Sequence, residues 1–291
     1  MSKSFAFFGN TFQAEKSAKI REVLQAVTNI GGTIIIEQEF ADFLKKVLRL
    51  DNITYTQLPS EQITADFAIS IGGDGTFLKT AQTVGSRQMP IIGINTGHLG
   101  FISDILPTDA ETFFNDLSQD RYQTEERSLL MAKTHGQELT GSPYALNEIA
   151  ILKHDISSMI RISTKVNDNS LATYQADGLV VSTPTGSTGY SLSAGGPIIS
   201  PDSKSIVLSP IAAHSLSVRP FILNDNVRIT LEIHSRSHNF LVAIDGRSES
   251  LSDTTSIEIT KAPYSIRIVR PEGHSFFDTL RNKLLWGADN R

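Results

Sequence analysis

A glycine-rich run with one aspartate lies in the first third of the chain, at Ile71–Leu78, and contains Gly72, Gly73, Asp74 and Gly75. It follows an apolar segment typical of a buried strand. Glycines let the backbone approach a ligand closely, and the start of a following helix offers N–H groups to phosphate oxygens. A carboxylate repels phosphate, so Asp74 needs another task, such as accepting a proton from a hydroxyl or facing a metal ion. The alternative is a tight turn in which Asp74 caps the helix.

A second run, Thr183–Pro197, is dense in small and hydroxyl-bearing residues and has one aromatic residue, Tyr190. Hydroxyls and backbone amides can bind ribose and phosphate oxygens, and a tyrosine ring can flank a base. Such a composition is more often that of a flexible loop. The apolar residues on both sides, Leu179–Val181 and Pro197–Ile199, favour a tightly built segment instead.

The polar pair Asn147-Glu148 interrupts the apolar run Tyr144–Leu152. Neighbouring residues of a strand point to opposite faces, so one of the pair should face a core. Burying a polar group is costly without a partner, and a ligand hydroxyl is one such partner. A strand edge or a bulge explains the pair equally well.

Other polar residues give weaker signals. Asp177-Gly178 and Asp245-Gly246 each adjoin a hydrophobic strand, and either alone indicates a turn. His234 and His238 could share a strand face, but no third ligand is near, so we expect no protein metal site. The phosphate loop of P-loop proteins and the dinucleotide fingerprint are both absent from the sequence.

The hydrophobic periodicity changes part-way along the chain. Up to about residue 105, short apolar strands, among them Phe67–Ile71 and Ile91–Ile94, alternate with helical stripes, which predicts a parallel sheet covered by helices. After about residue 121, short β-rich runs, among them Tyr144–Leu152, Ser256–Ile259 and Tyr264–Val269, predict an antiparallel sandwich or layered sheet. Helical spacing returns at Phe276–Trp286. We therefore predict an α/β domain over residues 1–120, a β-rich domain over 121–270, and a segment over 271–291 that packs back on the first domain.

Composition narrows the function further. The 291 residues carry a net charge of −5, which disfavours a broad basic face for nucleic acid. The sequence has no cysteine, which excludes disulfides, thiolate nucleophiles and iron–sulfur clusters. The N-terminus does not resemble a signal peptide, and no apolar run approaches the ~18 residues of a membrane span. We expect a cytoplasmic protein that binds neither nucleic acid nor membrane.

Taken together, the motifs resemble those of the NAD kinase (ATP-NAD kinase) family in order and spacing. The resemblance spans residues 66–286. The glycine–aspartate motif alone also occurs in phosphofructokinases and in diacylglycerol and sphingosine kinases, whereas the later motifs are specific to NAD kinases. The matching segments are Gly72–Thr76, Asn95–Phe101, Asn147-Glu148, Asp177-Gly178 and Thr183–Pro197.

The resemblance implies a reaction and a set of partners. The γ-phosphoryl group of ATP would be transferred to the 2′-hydroxyl of the adenosine ribose of NAD, giving NADP. Asp74 would be the general base, and Gly72, Gly73 and Gly75 would form the phosphate cradle. Mg²⁺ would accompany ATP. The resemblance also implies the two-domain fold with a returning C-terminal segment, and a homodimer or homotetramer.

The resemblance assigns NAD-binding residues by position. Gly189 departs from the alanine that is commoner in the family, while Gln175 and Ser158 stand where many members have a basic residue. These departures leave open the preference between NAD and NADH. The implied NAD-binding residues are Asp74, Gly75, Lys79, Asn147, Glu148, Asp177, Thr188, Gly189, Tyr190, Ser191, Leu192, Ser193 and Ala212.

Two other functions compete with this one. A lipid kinase built on the same glycine–aspartate turn would need an apolar entry for its lipid, whereas Asn147-Glu148 and the segment around Tyr190 favour a nucleotide acceptor. A nucleotide sensor without turnover would keep the pocket, but it would gain nothing from the carboxylate of Asp74.

Overall fold

The computed structural model describes residues 2–11, 16–48, 53–97, 100–155 and 158–287. The chain divides into two compact units: the first comprises Met1–Glu126 with Ile266–Arg291, and the second comprises Arg127–Ser265. The domain boundaries that the sequence suggested, after residues 120 and 270, stay predictions. Two residues of the Asn95–Phe101 motif, His98 and Leu99, lie outside the described residues.

The elements follow one another in this order along the chain. The helices are α1 (Ser17–Asn29), α2 (Gln38–Val47), α3 (Asp74–Val84), α4 (Ala110–Ser118), α5 (Tyr190–Ser193) and α6 (Phe276–Leu284). The strands are β1 (Ser4–Gly9), β2 (Thr33–Glu37), β3 (Thr56–Leu58), β4 (Phe67–Ile71), β5 (Ile91–Ile94), β6 (Tyr122–His135), β7 (Tyr144–Ala145), β8 (Glu148–Lys153), β9 (Ile160–Val166), β10 (Asn169–Ala176), β11 (Gly178–Ser182), β12 (Ser205–Ile211), β13 (Phe221–Asn224), β14 (Ile229–His234), β15 (Asn239–Ile244), β16 (Arg247–Ser252) and β17 (Ser256–Pro271).

The first unit is built on a parallel sheet. Its strand order is β5-β4-β1-β2-β3, and all the neighbouring pairs run parallel. The end of β17 joins the sheet next to β5, also in parallel. Every residue of β4 is buried, as expected for a strand covered on both faces. The parallel sheet predicted from the sequence is thus confirmed.

Helices supply the rest of the first core. In α1 the apolar stripe Ile20, Val23, Leu24 and Val27 is buried against the sheet residues. The helix ends before Gly31, whose φ of 73° is a conformation that glycine adopts readily. Helix α6 belongs to this unit, which confirms the predicted return of the C-terminal segment. In the described part of the chain, no helix combines the length and apolar character needed to cross a membrane.

The second unit is antiparallel. One sheet has the order β13-β12-β11-β8-β15-β16, and β10, β9, β14 and the start of β17 form a second run of paired strands. Both contribute to one hydrophobic core, which includes Ile149, Leu179, Leu231 and Ile257. The predicted β domain is therefore confirmed.

Two strands differ from the sequence prediction. The predicted strand Tyr144–Leu152 is broken at Leu146-Asn147, because side-chain acceptors replace the ladder partners there. The predicted separate strands Ser256–Ile259 and Tyr264–Val269 form one strand, β17. Its exposed Pro263 does not end it, since proline tolerates an extended backbone where no N–H is needed.

Candidate functional site

The glycine–aspartate run lies at the carboxyl end of the parallel sheet in the first unit. Strand β4 ends at Ile71, and α3 starts at Asp74 with Gly73 as its N-cap. The first N–H groups of a helix have no partner within it, so they can donate hydrogen bonds to an anion. Ligands of parallel sheets bind outside the carboxyl ends of the strands. The turn therefore has the position and the donors of a phosphate site.

A cavity of about 350 Å³ opens at this edge of the sheet. Two glycines of the motif line it, together with Lys79, which lies in the second turn of α3. Backbone donors and one cation suit an oxyanion. The lining residues are Gly9, Asn10, Thr11, Gly73, Gly75, Thr76 and Lys79.

The carboxylate of Asp74 is held by three successive backbone N–H groups. Phe101 donates to Oδ2 at 2.9 Å, while Ile102 and Ser103 donate to Oδ1 at 3.2 and 3.0 Å. Gly100 allows this approach, because a Cβ atom there would lie 2.0 Å from Oδ1 of Asp74. The carboxylate is consequently fixed in one orientation, with 29% of the side chain exposed.

A lysine from the C-terminal helix reaches the same carboxylate. The Nζ atom of Lys283 lies 3.5 Å from Oδ2 of Asp74 and 4.5 Å from the centre of the Phe101 ring, as a cation over an aromatic face does. The sequence predicted that this helix returns to the first domain. It gave no sign that Lys283, rather than another basic residue of the helix, would meet Asp74.

In the second unit, the turn Leu146-Asn147 is organised by Asp245. The Asp245 carboxylate accepts hydrogen bonds from the N–H groups of Leu146 at 2.7 Å, Asn147 at 2.8 Å and Glu148 at 3.2 Å. These bonds take the place of a strand ladder and direct the side chains of Asn147 and Glu148. The sequence indicated only a turn at Asp245-Gly246 and missed this role.

Glu148 has an unusual environment for a carboxyl group. Burial, followed by the nearby charge of Asp245, raises the pKa of Glu148 to about 7, although a hydrogen bond from the Tyr190 backbone opposes the shift. Burial also raises the pKa of Asp245. Within the described part of the chain, Oε2 of Glu148 and Oδ1 of Asn147 are buried without a hydrogen-bond partner. Since buried polar atoms are nearly always paired, these two are suited to polar groups of a ligand.

The segment Thr183–Pro197 packs directly on this pair. It forms a 3-10 turn over Thr185–Thr188, followed by α5. A Cβ atom on Gly186 would lie 2.1 Å from the Asn147 carbonyl oxygen, so only glycine fits there. A Cβ atom on Gly189 would lie 3.1 Å from Oε2 of Glu148. The structure thus brings together Asn147, Glu148 and the predicted residues Thr188–Ser193.

The side chains within Thr188–Ser193 differ in access. Tyr190 is 39% exposed, whereas Ser191 is fully buried and its hydroxyl lies 2.9 Å from that of Ser209. Leu192 is half-buried and Ser193 is exposed. Tyr190 can therefore offer its ring to a ligand, while Ser191 holds the segment on the sheet.

Asp177 and Ala212 lie together, but away from Glu148. The Asp177 N–H donates to the Ile211 carbonyl at 3.0 Å, and its carboxylate lies 2.7 Å from Nζ of Lys153. Ala212 has a φ of 46°. Strand β11 separates this pair from Glu148. Asp177 directly precedes Gly178 at one end of the strand, and Glu148 pairs with Ser182 at the other end. At ~3.3 Å per residue the separation is roughly 13 Å, which suits an elongated ligand.

Among the described residues, no three His, Cys, Asp or Glu side chains cluster as a metal site would require. The acidic groups instead act singly, as Asp74 does, or as a close pair, as Glu148 and Asp245 do.

Both units match family models. The model described as the ATP-NAD kinase N-terminal domain covers residues 9–122, and the ATP-NAD kinase C-terminal domain covers residues 146–271. A curated NAD kinase from Bacteroides fragilis is 52% identical over 287 residues, which cover 99% of each chain. One from Porphyromonas gingivalis is 44% identical, covering 98% of this chain and 99% of the relative.

Solved structures agree on the fold. Yeast NADH kinase complexed with NADH aligns with a TM-score of 0.90 at 22% identity, over 100% of this chain and 89% of the other. An NAD kinase from Archaeoglobus fulgidus in complex with ATP aligns with a TM-score of 0.75 at 24% identity, over 98% and 99% of the two chains. With both family models and full-length relatives in agreement, this chain belongs to the NAD kinase family.

Proposed function

We propose that this protein is an ATP-dependent NAD kinase, which transfers the γ-phosphoryl group of ATP to the 2′-hydroxyl of the adenosine ribose of NAD. Its curated relatives are NAD kinases along their whole length. One observation carries the proposed mechanism: three backbone N–H groups fix the carboxylate of Asp74, and the glycines on either side of Asp74 line a cavity of about 350 Å³.

The donor side of the reaction would use the first unit. The backbone of Gly72, Gly73 and Gly75, at the start of α3, would bind phosphate oxygens of ATP. Lys79 in the cavity lining would neutralise part of their charge. Mg²⁺ would arrive with ATP, since this ion usually binds through substrate phosphates with few protein carboxylates. The isolated Asp74 carboxylate fits that mode better than a dedicated protein cage.

The acceptor side would use the second unit. The unpaired buried atoms of Asn147 and Glu148 would bind ribose hydroxyls. With a pKa near 7, Glu148 can either donate or accept such a bond at neutral pH. Tyr190 would flank the adenine, with Thr188, Gly189, Leu192 and Ser193 around it. Asp177 would face the nicotinamide end, and the Ala212 backbone would contact the nucleotide.

In the chemical step, Asp74 would accept the proton of the ribose 2′-hydroxyl. The hydroxyl oxygen forms a bond to the γ-phosphorus, and the bond from that phosphorus to the oxygen bridging to the β-phosphate breaks, which releases ADP. Such transfers depend mainly on positioning and charge neutralisation. Lys283, 3.5 Å from Asp74, is well placed to compensate negative charge as it gathers at the transferred group.

The test is direct. Purified protein is incubated with ATP, Mg²⁺ and NAD, and NADP is measured with an NADP-specific dehydrogenase. Parallel reactions replace NAD with NADH, diacylglycerol or sphingosine. We expect NADP formation and no lipid phosphorylation. Neither the lipid kinase nor the non-catalytic sensor finds support among the relatives, and absence of any NADP would refute the proposal.

Three further expectations accompany the proposal. From the sequence we predict a cytoplasmic location and no binding to nucleic acid or membrane. The resemblance to the family predicts assembly as a homodimer or homotetramer. Sedimentation velocity of the purified chain would measure the assembly.

A further inference from the structure

Arg270, near the end of β17, has the largest essentially fully buried side chain among the described residues, at 2% exposure. Its guanidinium donates to two successive backbone carbonyls: Nη1 to Ile102 at 2.8 Å and Nη2 to Phe101 at 3.4 Å. It also approaches two carboxylates, Asp104 and Glu125. The mechanism described above gives this arginine no task.

The two carbonyls belong to peptide groups that also hold Asp74. The peptide joining Phe101 to Ile102 accepts from Arg270 at its oxygen and donates to Asp74 at its nitrogen. The next peptide, joining Ile102 to Ser103, does the same. Two peptide groups are thus bonded to a cation on one side and to a carboxylate on the other, so both charges orient and polarise them.

The second unit provides an internal comparison. There, Asp245 holds the N–H groups of the two peptides that follow Leu146 and Asn147. Their carbonyls accept from the hydroxyl and the backbone N–H of Thr183, at 2.6 and 2.9 Å. Neutral donors therefore suffice to build this kind of turn. A buried guanidinium is a costly substitute, which argues that its charge and rigid geometry serve something more than folding.

Further ionisable groups hold Arg270 in place. Nε2 of His274 lies 2.7 Å from Oδ2 of Asp104, and Nδ1 lies 3.5 Å from Oε1 of Glu125. The two carboxylates, Asp104 first and then Glu125, raise the pKa of His274 to about 9. The side chains of Arg270 and His274 thus alternate with the carboxylates of Asp104 and Glu125. At neutral pH, this network restricts the guanidinium to the orientation that faces both carbonyls.

We propose that Arg270 is a positioning residue for phosphoryl transfer, which acts by holding the peptide groups between Phe101 and Ser103 so that they fix the Asp74 carboxylate. The inference rests on the proposed function of Asp74. It assigns Arg270 an effect on turnover and none on substrate binding.

The first test is Arg270→Lys, which keeps the charge but loses the planar pair of donors. A misplacement of about 1 Å can cost ~10²-fold in rate, so we expect kcat to fall by that order while both Michaelis constants change by less than about threefold. The matched control is Arg87→Lys in the same unit. Arg87 also bonds backbone carbonyls, at Ser60 and Ile63, and its substitution should leave kcat within about twofold. An unchanged kcat in Arg270→Lys would overturn the proposal.

A double-mutant cycle shows whether Arg270 acts through Asp74. If it does, Arg270→Lys lowers kcat no further once Asp74→Asn is present. A merely structural role would make the two losses multiply, and that result would contradict the proposal. Should Arg270→Lys fail to fold, Asp104→Asn takes its place, since it loosens the arginine with little change of shape. It should lower kcat by about tenfold, and a wild-type kcat would count against the proposal.

Amide hydrogen exchange gives a readout that needs no turnover. In the full chain, Arg270→Lys should accelerate exchange at Phe101, Ile102 and Ser103 by about tenfold or more, with the amides of Leu146–Glu148 unchanged. Unchanged exchange at Phe101–Ser103 would overturn the inference whatever the kinetics. If the wild-type protein made no NADP, the proposed function would fail, yet exchange would still decide whether Arg270 holds this loop.

Discussion

The two units contain the same local arrangement in different surroundings: an aspartate whose carboxylate binds three consecutive backbone N–H groups. In the first unit Asp74 binds the amides of Phe101–Ser103, and in the second Asp245 binds those of Leu146–Glu148. Asp74 is partly exposed and has a lysine beside it. Asp245 lies in a buried environment that raises its pKa.

The comparison shows that three backbone N–H bonds to an aspartate do not by themselves define a catalytic residue. In the first unit the aspartate is the proposed reactive group, and the loop serves as its support. In the second unit the roles are reversed: the aspartate is the support, and the residues it holds, Asn147 and Glu148, carry the unpaired atoms offered to a ligand. Access and neighbouring charge, rather than the hydrogen-bond pattern, separate the two roles.

The largest effect should come from Asp74→Asn. The substitution removes the proposed base, and general-base catalysis is typically worth ~10²–10⁴ in rate, so kcat should fall by that order. An amide group cannot accept all three N–H bonds, so we also expect a loss of about 1–3 kcal/mol in the free energy of unfolding. Steady-state kinetics, NAD titration and thermal melting on one preparation measure all three quantities. Near-wild-type kcat would reduce Asp74 to a structural support of the Phe101–Ser103 backbone.

Glu148→Gln tests the buried carboxyl of the second unit. Its pKa is raised from 4.5 to about 7, so the folded state binds a proton that the unfolded state releases in this range. The contribution of Glu148 to the wild-type free energy of unfolding should therefore be most favourable below pH 4.5 and decline as pH rises through about 7, by on the order of 3 kcal/mol. The glutamine variant lacks this decline. Urea unfolding of both proteins at pH 5 and pH 8 measures this. From pH 5 to pH 8, the free energy of unfolding of the variant should rise relative to that of wild type by on the order of 2–3 kcal/mol. Parallel pH profiles of the two proteins would contradict the assignment.

Asp245→Asn is the counterpart of the Asp74 substitution. An unsatisfied buried N–H costs about 1–3 kcal/mol, so the free energy of unfolding should fall by that amount. The turn that directs Asn147 and Glu148 should loosen, and the Michaelis constant for NAD should rise more than kcat falls. Denaturant unfolding and kinetics measure this. A fall in kcat as large as that of Asp74→Asn would erase the distinction between the two aspartates.

Local sequence patterns predicted much of this structure. The runs Phe67–Ile71 and Ile91–Ile94 are strands with the predicted bounds, because short continuous apolar runs that alternate with helical stripes are typical of strands covered on both faces. The glycine–aspartate motif lies at the turn from β4 to α3, as predicted. In these cases the determining contacts are near in sequence or follow from a simple alternation.

Supports that come from remote parts of the chain could not be predicted. Asp245 lies 98 residues from Asn147, and Arg270 lies 169 residues from Phe101. Lys283 meets Asp74 from the opposite end of the chain. Each is a single polar contact set by tertiary packing, and no local periodicity encodes its partner. The interruption of the predicted strand at Leu146-Asn147 has the same cause, because Asp245 competes for the N–H groups that a strand ladder would use.

The smallest effect is expected for Tyr190→Ala, which tests whether the second unit contributes binding alone. The exposed ring has no proton to transfer in the proposed step, so its loss should remove interactions that are equal in the ground and transition states. We expect the Michaelis constant for NAD to rise about tenfold and kcat to change by less than about twofold. Tyr190→Phe keeps the ring and the backbone N–H that bonds Glu148, and it should behave like wild type. If instead kcat falls strongly while the Michaelis constant is unchanged, the second unit takes part in the chemistry, and the division of roles between the two aspartate turns would have to be redrawn.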